Sequence, residues 1–211
     1  MTSSTASAHA SPWQDYFAVD FVFADFPPGA RVLDIGFGGG GQMRKLQALG
    51  CRPVGIEYDH VLASQGRAQG LAVCRAQAEQ LPIATASLDG LICKVVIPYT
   101  DEAAAVAEMA RVLRPGAVAR ISYHGLGYSL RYLLTDPDWK RRLYGARALV
   151  NTAVYRLTGR RLPGFLGDTV NQSSRRLQQY YRRSGLELVA EHPSPQFAGA
   201  PVFIYHTIRR T

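Results

Sequence analysis

The chain has 211 residues, 47% of them hydrophobic, and 24 Lys and Arg against 16 Asp and Glu give a formal net charge of +8. That length holds one α/β domain with a sizeable core and leaves no room for a second, and the composition is ordinary for a globular enzyme. No apolar run approaches the roughly 18–20 residues that span a bilayer, and the opening MTSSTASAHASP has neither the basic start nor the apolar centre of a signal peptide. A disordered stretch over residues 1–10, one domain over 11–211 and a cytoplasmic location are therefore expected.

Ser11, Pro12 and Gln14 have the makings of a helix start, with Ser11 as N-cap and Gln14 closing a capping box. The helix would occupy residues 11–27 and end near Asp25, with Trp13, Tyr16, Phe17, Phe21 and Ala24 close to one face. Strand and helix signals then alternate strictly. Strands are expected at Arg31–Ile35, Pro53–Ile56, Leu71–Cys74, Leu88–Val95 and Ala117–Tyr123. Helices are expected at Gly41–Leu49, His60–Gln69 and Asp101–Leu113, each stopped by glycine or by Pro115-Gly116. Such alternation implies a parallel sheet with right-handed crossovers. After His124 it breaks. Residues 126–172 read as a helical insertion containing an amphipathic helix with Trp139, Leu143, Ala146, Val150, Val154 and Leu157. A helix at Ser173–Ser184 and strands at Leu186–Ala190 and Pro201–Ile208 complete the chain.

The net charge is localised. From Trp139 to Arg183 eleven Lys and Arg face one acid, Asp168, whereas the rest of the chain is slightly acidic. A solvated lid face, contact with an anionic substrate or membrane surface, and nucleic-acid binding are the three readings of that segment; nucleic acid is the weakest, because no nucleic-acid-binding module accompanies the charge. Cys51, Cys74 and Cys93 have no metal-ligand spacing and read as buried small hydrophobes, so no metal is expected.

The stretch RVLDIGFGGGG at 31–41 carries most of the chemistry. It satisfies G-x-G-x-x-G through Gly36, Gly38 and Gly41, a spacing shared with dinucleotide sites. A pyrophosphate would sit at the following helix N-terminus, where the carboxylate of Asp34 would repel it. A ligand with an amine, a sulfonium and a ribose but no phosphate would instead favour that acid, and S-adenosyl-L-methionine fits the description. Further segments agree in order and spacing: VGIEYD at 54–59, AQAEQLPI at 76–83, SLDGLICKVV at 87–96 and ARVLRPGA at 110–117. With these motifs the run from Arg31 to about Tyr123 resembles the class I S-adenosylmethionine-dependent methyltransferases, in the small-molecule group that includes quinone-type enzymes.

The resemblance implies a Rossmann-like, mostly parallel seven-stranded sheet with helices on both faces, its last two strands paired antiparallel at the sheet edge. It implies methyl transfer from S-adenosyl-L-methionine to a small-molecule or lipid-like acceptor at O, N or C. An RNA substrate and a non-catalytic cofactor- or partner-binding role are the alternatives, and a nicotinamide oxidoreductase is a remote one. The expected cofactor contacts are Asp34, Gly36 and Gly38 in the turn, and Glu57 on the ribose hydroxyls. Tyr58 would lie against adenine, Gln77 and Ala78 would meet its edge, and Lys94 would pair with the methionine carboxylate. Gln77 departs from the aspartate usual in the family but keeps an acceptor oxygen. Plainer alternatives are a solvated loop acid for Glu57, a partly buried ring for Tyr58 and a solvated strand-end charge for Lys94. His124, directly after the fifth strand, is the candidate general base. Asp168, with Thr169, Asn171 and Gln172, is a candidate for orienting the acceptor, and Tyr99 is a candidate pocket wall. Val96-Ile97 before Pro98-Tyr99 lacks the Asn or Asp of nucleic-acid amino methyltransferases, which argues against base methylation.

Overall fold

The apolar runs of the sequence become the strands of one sheet in the computed structural model, which describes residues 21–211. Five strands are mutually parallel: β1 (Arg31–Ile35), β2 (Arg52–Glu57), β3 (Val73–Arg75), β4 (Leu88–Lys94) and β5 (Leu113–His124). Their connections include α1 (Gly41–Ala48), α2 (His60–Ala68) and α3 (Glu102–Val112). After β5 come α4 (Leu126–Thr135), α5 (Trp139–Thr158), α6 (Ser174–Arg183) and β6 (Leu186–His192). A small hairpin of β7 (Gln196–Phe197) and β8 (Ala200–Pro201) then leads into β9 (Phe203–Arg210). The sheet order is β3-β2-β1-β4-β5-β9-β6, with β9 antiparallel to both neighbours. The final strand thus inserts beside β5 and leaves β6 at the edge, where consecutive pairing would have placed β6 next to β5.

Alternation along the strands divides the core between two faces. Leu33, Leu91, Cys93, Ile121 and Tyr123 point to one face and pack with Ala105 and Met109 of α3 and Leu177 and Tyr181 of α6. Val32, Ile92 and Tyr205 point to the other, against Leu46 of α1 and the aromatic pair Phe21 and Phe23. Each buried Leu or Ile contributes about 1.5–3 kcal/mol over exposure. Helix starts are fixed by local acids. The Asp59 carboxylate accepts from the N–H groups of Val61 and Leu62 at 2.8 and 3.0 Å, and Asp101 does the same for Ala103 and Ala104 at 3.0 Å.

Several boundaries differ from those read in the sequence. The helix expected over 11–27 lies mostly outside the described residues, as does the disorder expected over 1–10. Its described part, 21–27, is not helical. There Phe21, Phe23 and Ala24 are all buried, the Val22 carbonyl accepts from Arg120 Nη1 at 3.0 Å, and Pro27 disfavours a helical Phe26. The fifth strand begins at Leu113, not Ala117, because Leu113 already pairs with Leu88 and Pro115-Gly116 is absorbed as an irregularity in the ladder. The third strand shifts to Val73–Arg75, in register with Gly55–Glu57.

Two buried polar networks fasten α6, one to the sheet and one to α3. Tyr123 Oη meets Tyr181 Oη at 2.5 Å, Tyr181 Oη meets His206 Nδ1 at 2.8 Å, and Ser174 Oγ lies 3.1 Å from His206 Nε2 while donating to Glu191 Oε2 at 2.6 Å. Beside this ladder, Glu102 is fully buried and takes both Nε and Nη2 of Arg176 at 2.9 Å, together with Gln172 Nε2 at 2.8 Å.

The insertion is a pair of packed helices, α4 and α5. The apolar stripe of α5 does not face the domain. Its inward residues are Gly145, Arg147, Ala148, Asn151 and Thr152. Asn151 Nδ2 donates to the Thr169 carbonyl at 2.6 Å and its Oδ1 accepts from Leu162 N–H at 2.9 Å. Thr152 Oγ1 accepts from Asn171 N–H at 2.8 Å, and Asn171 Nδ2 reaches the Gly125 carbonyl at 3.0 Å. Among the described residues no helix is long and apolar enough to cross a membrane.

Candidate functional site

Parallel strands direct their carboxyl ends to one rim, and ligands bind beyond that rim where neighbouring crossovers diverge. Here β1 and β4 are adjacent while their crossovers lead to opposite sides. A cavity of about 570 Å³ opens at that point, between Ile35-Gly36, Ile56-Glu57-Tyr58, Ala76 to Glu79, Lys94 to Val96 and Tyr99-Thr100.

The floor comes from the glycine turn. Gly36 adopts φ +69°, and a Cβ there would lie 2.3 Å from Val96 Cγ2, so only glycine fits. Gly38 has φ +53° with open space where a Cβ would stand, which leaves its backbone approachable. Its N–H donates to Glu57 Oε2 at 3.2 Å. The other oxygen of Glu57 accepts from the Tyr58 and Asp59 N–H groups at 2.9 and 3.2 Å. Three backbone donors thus hold the Glu57 carboxylate at the cavity edge. Tyr58 is exposed, with the Arg75 guanidinium 5.9 Å from its ring centroid. Gln77 and Ala78 line the opposite side, and Gln77 bridges to Gln80.

Asp34 lies beneath this floor, 2% exposed, and its Oδ2 has no hydrogen-bond partner. Burial pushes its carboxyl up to about 7; Lys94 pulls it down and Glu57 pushes it further up, both more weakly than burial acts. An orphaned buried carboxylate oxygen close to a ligand-sized cavity suits a ligand that brings a positive charge or an N–H donor. Val95, in the cavity lining, holds φ +58°, a strained conformation for a β-branched residue. The sequence carried no signal for it, nor for the packing of Val96 over Gly36.

The three candidates for acceptor chemistry separate in space. Tyr99 lines the cavity, and its hydroxyl is 3.1 Å from that of Tyr144 on α5. His124 stands outside the lining, 4% exposed. Its ring is stacked on Tyr128 at 3.6 Å between centroids, with the Tyr99 ring at 6.1 Å and Phe203 at 5.8 Å. Burial lowers its pKa to about 3, so it stays neutral at physiological pH. A histidine so placed is enclosed by aromatic rings, not open on the rim. Asp168 opens onto a second cavity of about 430 Å³, lined also by Tyr99, Thr100, Asp101, Tyr155 and Arg161. Both its oxygens accept from Nη2 of buried Arg147, at 2.9 and 2.7 Å. Thr169, Asn171 and Gln172 are buried and turned to backbone and Glu102 contacts, so they do not form an open polar cluster with it. Arg161, which the sequence reading passed over, ties the insertion to the cavity wall by donating to the Pro98 carbonyl at 3.1 Å and to the Thr100 carbonyl. Among the described residues there is no cluster suited to a metal ion.

Comparison with known proteins bears on the fold and the family. Residues 33–121 match the methyltransferase domain family. A malonyl-[acyl-carrier protein] O-methyltransferase of Enterobacter lignolyticus is 34% identical over 92 residues, 42% of this chain and 37% of the relative. A ubiquinone biosynthesis O-methyltransferase of Hahella chejuensis is 36% identical over 98 residues, 43% and 41% of the two chains. The chain therefore spans about two fifths of the length of these curated relatives. An S-adenosylmethionine-dependent methyltransferase from Mesorhizobium loti shares the fold with a TM-score of 0.65 at 18% identity, over 87% of this chain and 92% of that one. A second, from Methanosarcina mazei, does so with a TM-score of 0.64 at 15% identity, over 88% and 94%.

Proposed function

We propose that this chain, whose residues 33–121 match the methyltransferase domain family, binds S-adenosyl-L-methionine and methylates a small-molecule or lipid-like acceptor. The observation that carries the reading is the Glu57 carboxylate, fixed by three N–H groups at the edge of a cavity whose floor is a glycine turn over the buried, unpartnered Asp34. When bound, the cofactor supplies an activated sulfonium methyl.

This chain's residues then divide the work. Glu57 takes the ribose hydroxyls, Gln77 and Ala78 the edge of adenine, and Tyr58 lies along it. Lys94 holds the carboxylate of the amino-acid end, and Asp34 compensates its positive charge. Gly36 lets the turn pass under Val96, and the open backbone at Gly38 admits the ligand against it. Tyr99 walls the acceptor side, braced by Tyr144 and backed by His124, and Asp168 orients the acceptor from the adjoining cavity. Alignment of the two reactants provides most of the acceleration, so a neutral His124 is compatible with turnover. The basic stretch 139–183 is the side turned to an anionic surface.

Calorimetric titration of the full chain with S-adenosylhomocysteine, with NAD in parallel, tests the cofactor assignment. Binding of the first alone is expected. Folded protein that binds neither would overturn it. S-adenosylhomocysteine released from S-adenosylmethionine on adding extract fractions then tests turnover.

A further inference from the structure

Helix α5 is built inside out. Trp139, Leu143, Ala146, Val150, Ala153 and Leu157 recur at intervals of four and three, which keeps them in one stripe along the helix. A stripe of this kind ordinarily faces a core. Here it faces outward, with Trp139 66% and Leu157 87% exposed, and the hydrogen-bonding residues Arg147, Asn151 and Thr152 face inward. Phe165, on the turn that follows, belongs to the other side: its ring centroid lies 3.5 Å from the guanidinium of the inward Arg147.

Charge selects the occupant. From Trp139 to Gly167 the chain has seven Lys and Arg and no acid. Lys140, Arg142, Arg156 and Arg160 are exposed beside the stripe. A second copy of the chain would set these cations against their own kind. A surface of anionic lipid accepts both features: apolar side chains enter the acyl boundary and arginines meet headgroup phosphates.

We propose that the outward face of α5 docks on an anionic lipid bilayer with the helix in the interface plane. The opposite side of the same helix carries Tyr144, bonded to Tyr99 of the cavity wall, so the helix that meets the lipid is also the one that braces the acceptor side of the cavity, one helix diameter from the bilayer. That last placement rests on the proposed methyltransferase reading; the lipid contact itself does not.

The test is co-sedimentation of the full chain with vesicles of phosphatidylcholine alone and of phosphatidylcholine mixed with phosphatidylglycerol. Binding to the mixed vesicles only, released by raised salt, is expected. A Leu143→Glu, Val150→Glu, Leu157→Glu variant should lose it. A Lys140→Gln, Arg156→Gln, Arg160→Gln variant should bind roughly a hundredfold more weakly, at roughly fivefold for each basic side chain. Both variants should keep wild-type melting and S-adenosylhomocysteine affinity. Wild type that ignores anionic vesicles, or variants that bind as wild type does, would overturn the proposal. So would a wild-type dimer in sedimentation equilibrium that the glutamate variant dissolves, which would assign the face to a second copy. Vesicle binding without any affinity for S-adenosylhomocysteine would refute the proposed function and leave the lipid face standing.

Discussion

Replacing Asp34 with asparagine separates the cost of the site from its use. The folded carboxyl titrates at about 7 against an ordinary 3.8. The folded state therefore holds a proton that the unfolded chain has already released, and stability falls as pH rises from about 4 to about 7. A shift of that size corresponds to about 4 kcal/mol lost once Asp34 is charged. The substituted amide carries no charge but leaves buried polar atoms that cost about 1–3 kcal/mol. At pH 8 the Asp34→Asn protein should thus be more stable by about 2 kcal/mol, or about 4–8 °C in Tm for a chain of this size. Near pH 4 the advantage should vanish. Calorimetry with S-adenosylhomocysteine should show the reverse order of affinity: the wild type binds more tightly, by up to about tenfold more at pH 8 than at pH 6, as Asp34 ionises. The ligand's own α-amino group titrates near the top of this range but is common to both proteins, so the difference between their profiles is the quantity to read. A Tm difference that stays flat from pH 5 to pH 8, or equal affinities in the two proteins, would refute the reasoning.

Gly36→Ala should destabilise by about 1–2 kcal/mol from the left-handed backbone alone and by more from the contact with Val96; adding Val96→Ala should recover only the second part, as read by urea denaturation. His124→Phe keeps the stacking partner of Tyr128 and should keep turnover and the shape of its pH profile between about pH 6 and 9, because a histidine with a pKa of about 3 is neutral throughout; a loss of several orders of magnitude would restore His124 as a base. Arg176→Met leaves Glu102 charged and buried and should cost about 3–5 kcal/mol, with Glu102→Gln in the same chain recovering part of it; equal stability of Arg176→Met and wild type would show that the pair is not needed.

What the sequence revealed follows from periodicity. Parallel strands such as Leu88–Lys94 are apolar on both faces, so Leu91 and Ile92 announce a strand whichever helix covers them. The turn at 36–41 is legible because Gly36, Gly38 and Gly40 take the left-handed backbone that favours glycine. The Glu57 position follows from one strand-helix-strand unit of ordinary length. Features fixed by tertiary contact were not legible. Phe21 to Phe26 lie in the expected helix but are held out of it by Arg120 and by burial on the sheet. His124 sits at the strand end as expected, yet its ring turns into an aromatic stack, a choice made by Tyr128 one helical turn onward. The stripe on α5 was visible, but its direction was not, because period alone gives a face and not what lies opposite it.

The inward face of α5 docks largely through backbone carbonyls and N–H groups of residues 162–171 and through Gly145, which meets α4 so closely that a Cβ would lie 2.6 Å from the Ser129 carbonyl. Attachment and exterior are therefore encoded by separate residues. The outer positions 139, 143, 150 and 157 can be rewritten, or fitted with a fluorophore or a tether, without touching the bonds that seat the helix, which makes the insertion a ready handle for immobilising the protein or retargeting it to another surface.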